Sequence, residues 1–163
     1  MIGVLLLTAL AAGQATFPTV EATRLDGTTV MLPAGLGAEH SVVLVGFARD
    51  HQDAIDTWVP AARRLAETDG VDWVQTPVMG EVGSWFQPVL RAAIRGAHDA
   101  TVEPHVLLLF ADRDPLVEAL GVEDEAEILV ALVHRDGTID WTGRGSWSAE
   151  SEAALAGVLG ADD

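Results

Sequence analysis

The chain has 163 residues, which suits one domain, and 49% of them are hydrophobic, enough for a packed core. It sets 25 acidic residues against 9 basic ones, all Arg, for a formal net charge of -16; such a surface repels phosphate backbones and anionic lipid heads, which argues against nucleic-acid binding and direct docking on anionic membranes. Cys is absent, which excludes disulfides, thiolate nucleophiles and Cys-based metal sites.

Met1 to Ala12 is an apolar run. It is too short to span a bilayer as a helix but has the length of a signal-peptide core. Ala11-Ala12-Gly13 and Gly13-Gln14-Ala15 are small-x-small patterns suited to cleavage, although no Lys or Arg precedes the run. The expectation is an export signal over 1–15, with a buried N-terminal strand or a misplaced start as alternatives. That places the protein outside the cytoplasm, periplasmic or extracytoplasmic, or associated with a membrane through this segment; a cytoplasmic place stays open. The folded domain then runs over 16–163.

Val20 to Arg24 and Thr28 to Leu32 flank Asp26-Gly27, a hairpin signal, and a Gly-rich connection over 33–38 follows. Val42 to Val45 is unbroken β-branched and Leu residues, as expected of a strand covered on both faces. Asp50 is placed to cap the next helix, with Asp53 at its third position. Ile55, Trp58, Val59, Ala62, Leu65 and Ala66 recur at helical spacing and predict one apolar face, with Trp58 packed on the sheet. Pro60 removes a backbone donor inside that helix, and Asp69-Gly70 ends it.

Val71 to Val78 predicts the next strand. Ser84 opens a second helix whose inner face is Phe86, Val89, Leu90, Ala93, Ile94 and Ala97, with Pro88 in the tolerated first turn. His105 to Phe110 reads as a buried strand and Asp114-Pro115 as the start of a short helix ending at Gly121. Ile128 to Val133 is a further apolar strand, Arg135-Asp136-Gly137 a turn, and Thr138 to Thr142 an alternating strand. Ser148 caps a last helix with Leu155, Val158 and Leu159 inside. The order is hairpin, βα, βα, βα, β-hairpin, α. It implies an α/β three-layer sandwich with a mostly parallel central sheet, closed by a C-terminal β-hairpin and helix.

The stretch from His105 to Gly145 carries LLLFAD, DPLVEALGV, EILVALV, RDG and TIDWTGRG in that order. It resembles the latter half of a peroxiredoxin-like domain of the thioredoxin-like superfamily. Within that superfamily the chain is most similar to the mitochondrial ATP synthase assembly factor family and its bacterial relatives. The shared points are Phe17-Pro18, Leu32-Pro33, Trp58-x-Pro60, Trp85-Phe86 and the Asp-Gly-x-Ile-x-Trp-x-Gly-x-Gly run from Asp136 to Gly145. The resemblance implies a thioredoxin-like fold over most of the chain after Thr16. In redox members the reactive Cys opens the first helix, where this chain has Asp50-His51-Gln52; Glu127-Ile128 stands where such members often place an Arg or a cis-Pro. Peroxidase and thiol-disulfide chemistry are therefore excluded by residue type.

Three groups of residues stand out as candidate sites. Asp50, His51, Gln52 and Asp53 form a candidate ligand or partner loop; they are either an acid/base or metal cluster or, the favoured reading, helix-capping acids with an exposed His. Trp141, Arg144 and Trp147, with Trp58, are a candidate partner patch, against the reading of Trp141 and Trp58 as core. His98-Asp99 with Glu103-x-His105 has metal-ligand residue types but the spacing of no metal motif, and His134 is expected to be solvated. No cofactor or metal is implied.

The leading functional expectation is a non-catalytic thioredoxin-like protein that binds a protein partner, as an assembly or chaperone-type factor. The alternatives are an enzyme or a metal or ligand binder using Asp50, His51 and Asp53, and a degenerate peroxiredoxin that is purely structural. Lys, Asn and Tyr are also absent. A GC-rich genome accounts for this, and so does a halophilic source, because acidic, Lys-free surfaces suit high salt.

Overall fold

The computed structural model describes residues 15–161, so the export signal expected over 1–15 lies, but for Ala15, outside the described residues. Seven strands and four helices follow among the described residues. They are β1 (Val20–Arg24), β2 (Thr29–Leu32), β3 (His40–Gly46), α1 (Gln52–Leu65), β4 (Val71–Pro77) and α2 (Gln87–Ala97), then β5 (Leu107–Leu108), α3 (Arg113–Ala119), β6 (Leu129–His134), β7 (Ile139–Arg144) and α4 (Ala149–Ala161).

The β1–β2 hairpin turns at Asp26-Gly27 as the sequence predicts. The Asp26 carboxylate accepts from the Thr28 hydroxyl at 2.7 Å and from its amide at 2.9 Å, and these bonds hold its pKa below the usual carboxylate value. Gly27 takes φ +91°, a conformation that costs a residue without Cβ little.

β3 lies at the centre, parallel to β4 and antiparallel to β6, which pairs antiparallel with β7. β2, β1 and β5 form an antiparallel sheet. Parallel bridges between Gln75 and Val106 and between Val78 and Leu109 stitch β4 to β5. The parallel part is thus confined to β5-β4-β3, and the flanks are antiparallel.

Strand alternation divides the core. Val42, Leu44, Val130 and Leu132 point to one face, onto Ile55, Trp58, Ala62 and Leu65 of α1 and Leu155 of α4. Val43, Val45, Ala131 and Val133 point to the other, onto Leu116 and Leu120 and onto Phe17, Leu32 and Leu36. Each such Val, Leu, Ile or Phe side chain contributes about 1.5–3 kcal/mol on full burial. Trp58 is fully buried, as its spacing predicts, and its indole N–H donates to the Gly145 carbonyl at 3.0 Å. That bond removes the one polar liability of a buried Trp. Ser148 caps α4 as expected: its hydroxyl accepts from the Ser151 amide at 3.1 Å.

Four local expectations are corrected. Asp50 and Asp53 do not cap α1: a 3-10 turn over Arg49–His51 leads into the helix, and neither Ala48 nor His51 at its start makes a side-chain cap bond. His51 is buried at 6% exposure rather than solvated. α3 begins at Arg113, capped by Asp112, whose carboxylate accepts from the Asp114 amide at 3.3 Å. β5 shrinks to two residues: a 3-10 turn over Glu103–His105 takes its first expected residue, and Val106 and Leu109 pair only as isolated bridges.

The largest departure is α2. It starts at Gln87, after a turn closed by the Phe86 amide on the Gly83 carbonyl at 2.9 Å. The stripe expected to face inward is left uncovered: no residue of α2 is buried, Val89 is 56% exposed, and of the stripe only Leu90 and Ile94 are half-buried. The sheet beneath α2 is short, since β5 offers two residues. Only Ile94 reaches the small core of Leu25, Val106 and Leu108.

Candidate functional site

The β3–α1 corner is built by a close approach. A Cβ on Gly46 would stand 3.0 Å from the Ile55 Cδ1, so glycine lets the end of β3 run tight under α1. The next residue, Phe47, is held from both sides. Its amide donates to His51 Nδ1 at 3.0 Å and its carbonyl accepts from Arg113 Nη1 at 3.2 Å, with Arg113 also paired to Glu125. Because Nδ1 accepts, the His51 ring carries its proton on Nε2 in this arrangement. The ring also meets Phe47 edge to face, 6.4 Å between centroids. His51 therefore does structural work: it satisfies a buried amide that would otherwise be orphaned.

The candidate loop is consequently split. His51 turns inward; Asp50 and Asp53 stay exposed and apart from it. Gln52 alone reaches a neighbouring concavity, and its side-chain amide donates to Asp56 Oδ1 at 2.7 Å and to Gln75 Oε1 at 3.2 Å. Gln75 is 1% exposed and its Nε2 has no partner among the described residues.

That concavity is a groove of about 580 Å³ between α1, the ends of β3 and β4, and α2. Phe47 and Ile55 form one wall, Val78 and Met79 the floor, and Leu90, Ala93, Ile94 and Ala97 the other wall. The volume lies within the range of about 300–1,000 Å³ usual for ligand sites, and the lining is apolar, as such sites are. Sequence reasoning missed it because the α2 stripe reads as core. Periodicity identifies an apolar face but says nothing of what covers it.

The second candidate patch is not one surface of free side chains. Trp141 is half-buried and tilts against Trp58 at 6.5 Å. Arg144 donates to the Glu127 carbonyl at 2.9 Å and to the Asp124 carbonyl, tying down the loop before β6. Trp147 is 38% exposed, and its indole N–H donates to Glu152 at 2.7 Å. Glu152 also takes a two-pronged bond from Arg64, at 2.9 and 3.2 Å, which joins α1 to α4. The Arg64 bonds pull the Glu152 pKa below the ordinary value of 4.5; burial opposes them, and the Trp147 bond adds to the pull.

The remaining polar residues are engaged one by one. His98 Nδ1 lies 2.8 Å from the Ile94 carbonyl, and Asp99 accepts from the Thr101 amide at 2.8 Å. His105 stacks on Trp73 at 4.2 Å. His134 is half-buried rather than solvated, edge-on to His40 at 4.9 Å and near Glu39 at 3.2 Å and Asp136 at 3.1 Å. Among the described residues no three His, Asp or Glu side chains converge as a metal site would require.

No protein-family model and no curated protein matches the sequence. Solved structures do match the fold. BsSco, a member of the Sco family of cytochrome c oxidase assembly proteins, is 14% identical over 91% of this chain and 94% of its own, with a TM-score of 0.64. The Sco protein of Arabidopsis thaliana, with copper bound, is 14% identical over 89% and 98%, at 0.60. The exposed lipoprotein thioredoxin of Streptococcus pneumoniae is 16% identical over 88% and 99%, at 0.56. The chain therefore has a thioredoxin-like α/β fold, which is what the resemblance implies; at these identities the likeness extends to the fold alone.

Proposed function

We propose that this is a non-catalytic thioredoxin-like protein that binds a protein partner through the groove between α1 and α2, as an assembly-type factor. The observation that carries the reading is where the groove lies. It opens at the start of α1, the corner that carries the reactive Cys in redox thioredoxin-like proteins, and here that corner presents apolar side chains and no thiol. The Sco protein among the structural neighbours is described as an assembly protein, and the Trp58-x-Pro60 and Asp136 to Gly145 motifs resemble the ATP synthase assembly factors. Both support the assembly-type reading. The apolar start of the chain, together with an exposed lipoprotein among the neighbours, supports export as its setting.

Copper is no part of the proposal. The soft thiolate ligands that select it are absent, and the His51 nitrogen nearest the corner already accepts from Phe47. The test is site-specific photo-crosslinking in the source cells, with benzophenone in place of Leu90 on the groove wall and of Glu67, an exposed residue outside the groove lining. One protein joined at Leu90, absent from the Glu67 control and lost on Ile94→Glu, is the expected result. Equal labelling at both positions, or none at Leu90, rejects the reading.

A further inference from the structure

The charge around the groove runs against the charge of the chain. Acids make up 25 of the 163 residues, yet none of the residues lining the groove is acidic. The stretch 82–98, which contains the whole of α2, has no Asp or Glu and carries Arg91 and Arg95. The charged side chain at the groove itself is Arg49, and its guanidinium has no partner among the described residues. Arg64, Arg95 and Arg113 each meet a carboxylate, whereas Arg49, like Arg24 and Arg135, meets none among the described residues; of these three, Arg49 is the one at the groove. In a chain this rich in acids, leaving Arg49 unpaired beside an acid-free apolar lining keeps a cation available for an incoming group.

The apolar surface also extends beyond the groove. Phe86, Leu90, Ala93 and Ala97 succeed one another at intervals of three and four, with Ile94 four residues after Leu90, so they form one stripe along α2. At its upper end Trp85 is 81% exposed, beside Phe86. A small molecule would fill the groove and leave this extension bare, whereas a peptide segment would cover both.

Resting on the proposed partner-binding role, we infer that the groove takes an apolar segment of the partner that carries a carboxylate, an Asp or Glu side chain or a chain end, placed to pair with Arg49. The apolar side chains occupy the space between Phe47, Met79 and Leu90. The carboxylate meets the guanidinium in a charge-assisted, two-pronged bond, the geometry in which Arg is most selective. This choice runs against the long-range field, since the net charge of -16 attracts cations. Salt separates the two effects, because screening suppresses the distant charges before a direct contact.

The experiment uses fluorescent anisotropy with the full chain and three labelled peptides of the same Leu/Ala sequence, bearing Glu, Gln or Lys at two positions. At about 0.5 M NaCl, where the screening length is below 10 Å, the Glu peptide should bind about tenfold tighter than the Gln and Lys peptides. Arg49→Gln should abolish the preference for Glu over Gln. Ala93→Glu, an exposed helix position, should turn the preference toward Lys. Tighter binding of the Lys peptide to the unaltered protein at high salt overturns the inference, as does an Arg49→Gln variant that keeps the Glu preference, or no binding of any peptide. If crosslinking at Leu90 succeeds alongside any of these, the partner-binding role stands and only the chemistry of the occupant is wrong.

Discussion

α1 and α2 are two answers to one sequence pattern. Each follows a strand of the central sheet, each has an apolar stripe at helical spacing, and each holds a Pro. α1 buries Ile55, Trp58, Ala61, Ala62 and Leu65; α2 buries nothing. The difference comes from what lies beneath. α1 sits over β3 and β4, seven residues each, while α2 sits at the margin where β5 contributes two. An amphipathic stripe records that a face avoids water. Whether the cover is the protein's own sheet or another molecule is decided by distant parts of the chain.

The largest effect should come from the covered helix. Trp58→Ala removes a fully buried ring and orphans the Gly145 carbonyl, and should cost about 3–5 kcal/mol in a denaturant titration. A variant as stable as the parent would mean that α1 is no better covered than α2. His51→Ala comes next. It leaves the Phe47 amide without its acceptor, so a loss of about 1–3 kcal/mol is expected at the denaturant midpoint. A neutral result would return His51 to the role of an exposed loop residue and reopen it as a ligand.

A third test uses the tie between α1 and α4. The folded-state pKa of Glu152 is depressed, so its contribution to stability is fully present above the ordinary glutamate value of 4.5 and is lost as pH falls through the lower folded-state value. Glu152→Gln should therefore lower the urea midpoint slightly at pH 7, as expected of a surface pair, and should match the parent in strong acid. A difference that grows toward acid would contradict the sign. The smallest effect belongs to α2. Val89→Ser, at a 56% exposed position, should stay within about 0.5 kcal/mol of the parent, since Ser and Val have similar helix propensities. A cost near that of a buried Val would show that the stripe is covered in the isolated chain.

Much of the fold was legible. The unbroken Val42 to Val45 run, the Asp26-Gly27 turn, the Ser148 cap and the inward Trp58 each rest on local chemistry or on strong periodicity, and the structure has all four. The site was less legible. His51 is buried because Phe47 presents an amide at the right distance, a fact of three-dimensional placement that no residue pattern encodes. The capping acids failed for a related reason: the chain enters α1 through a 3-10 turn, so Asp50 does not occupy the extended position a cap requires. The groove escaped notice because its wall is the stripe that spacing assigns to the core.

The two bridges that stitch β4 to β5 carry a consequence for local unfolding. β3, β4, β6 and β7 are joined by ladders with one register shift at Leu132/Val133, whereas among the described residues the bridges from the β2-β1-β5 side to them are Gln75–Val106 and Val78–Leu109, beside the shared apolar core. A seam of this kind divides a domain into cooperative units of unequal protection, and amide exchange should be faster on the β5 side than within β3. α2 spans the seam, being the connection from β4 to β5. A segment seated between α1 and α2 would thus act as a clamp on the seam. Its binding would register as slowed exchange at the Leu109 amide, which is bonded to Pro77 across the join.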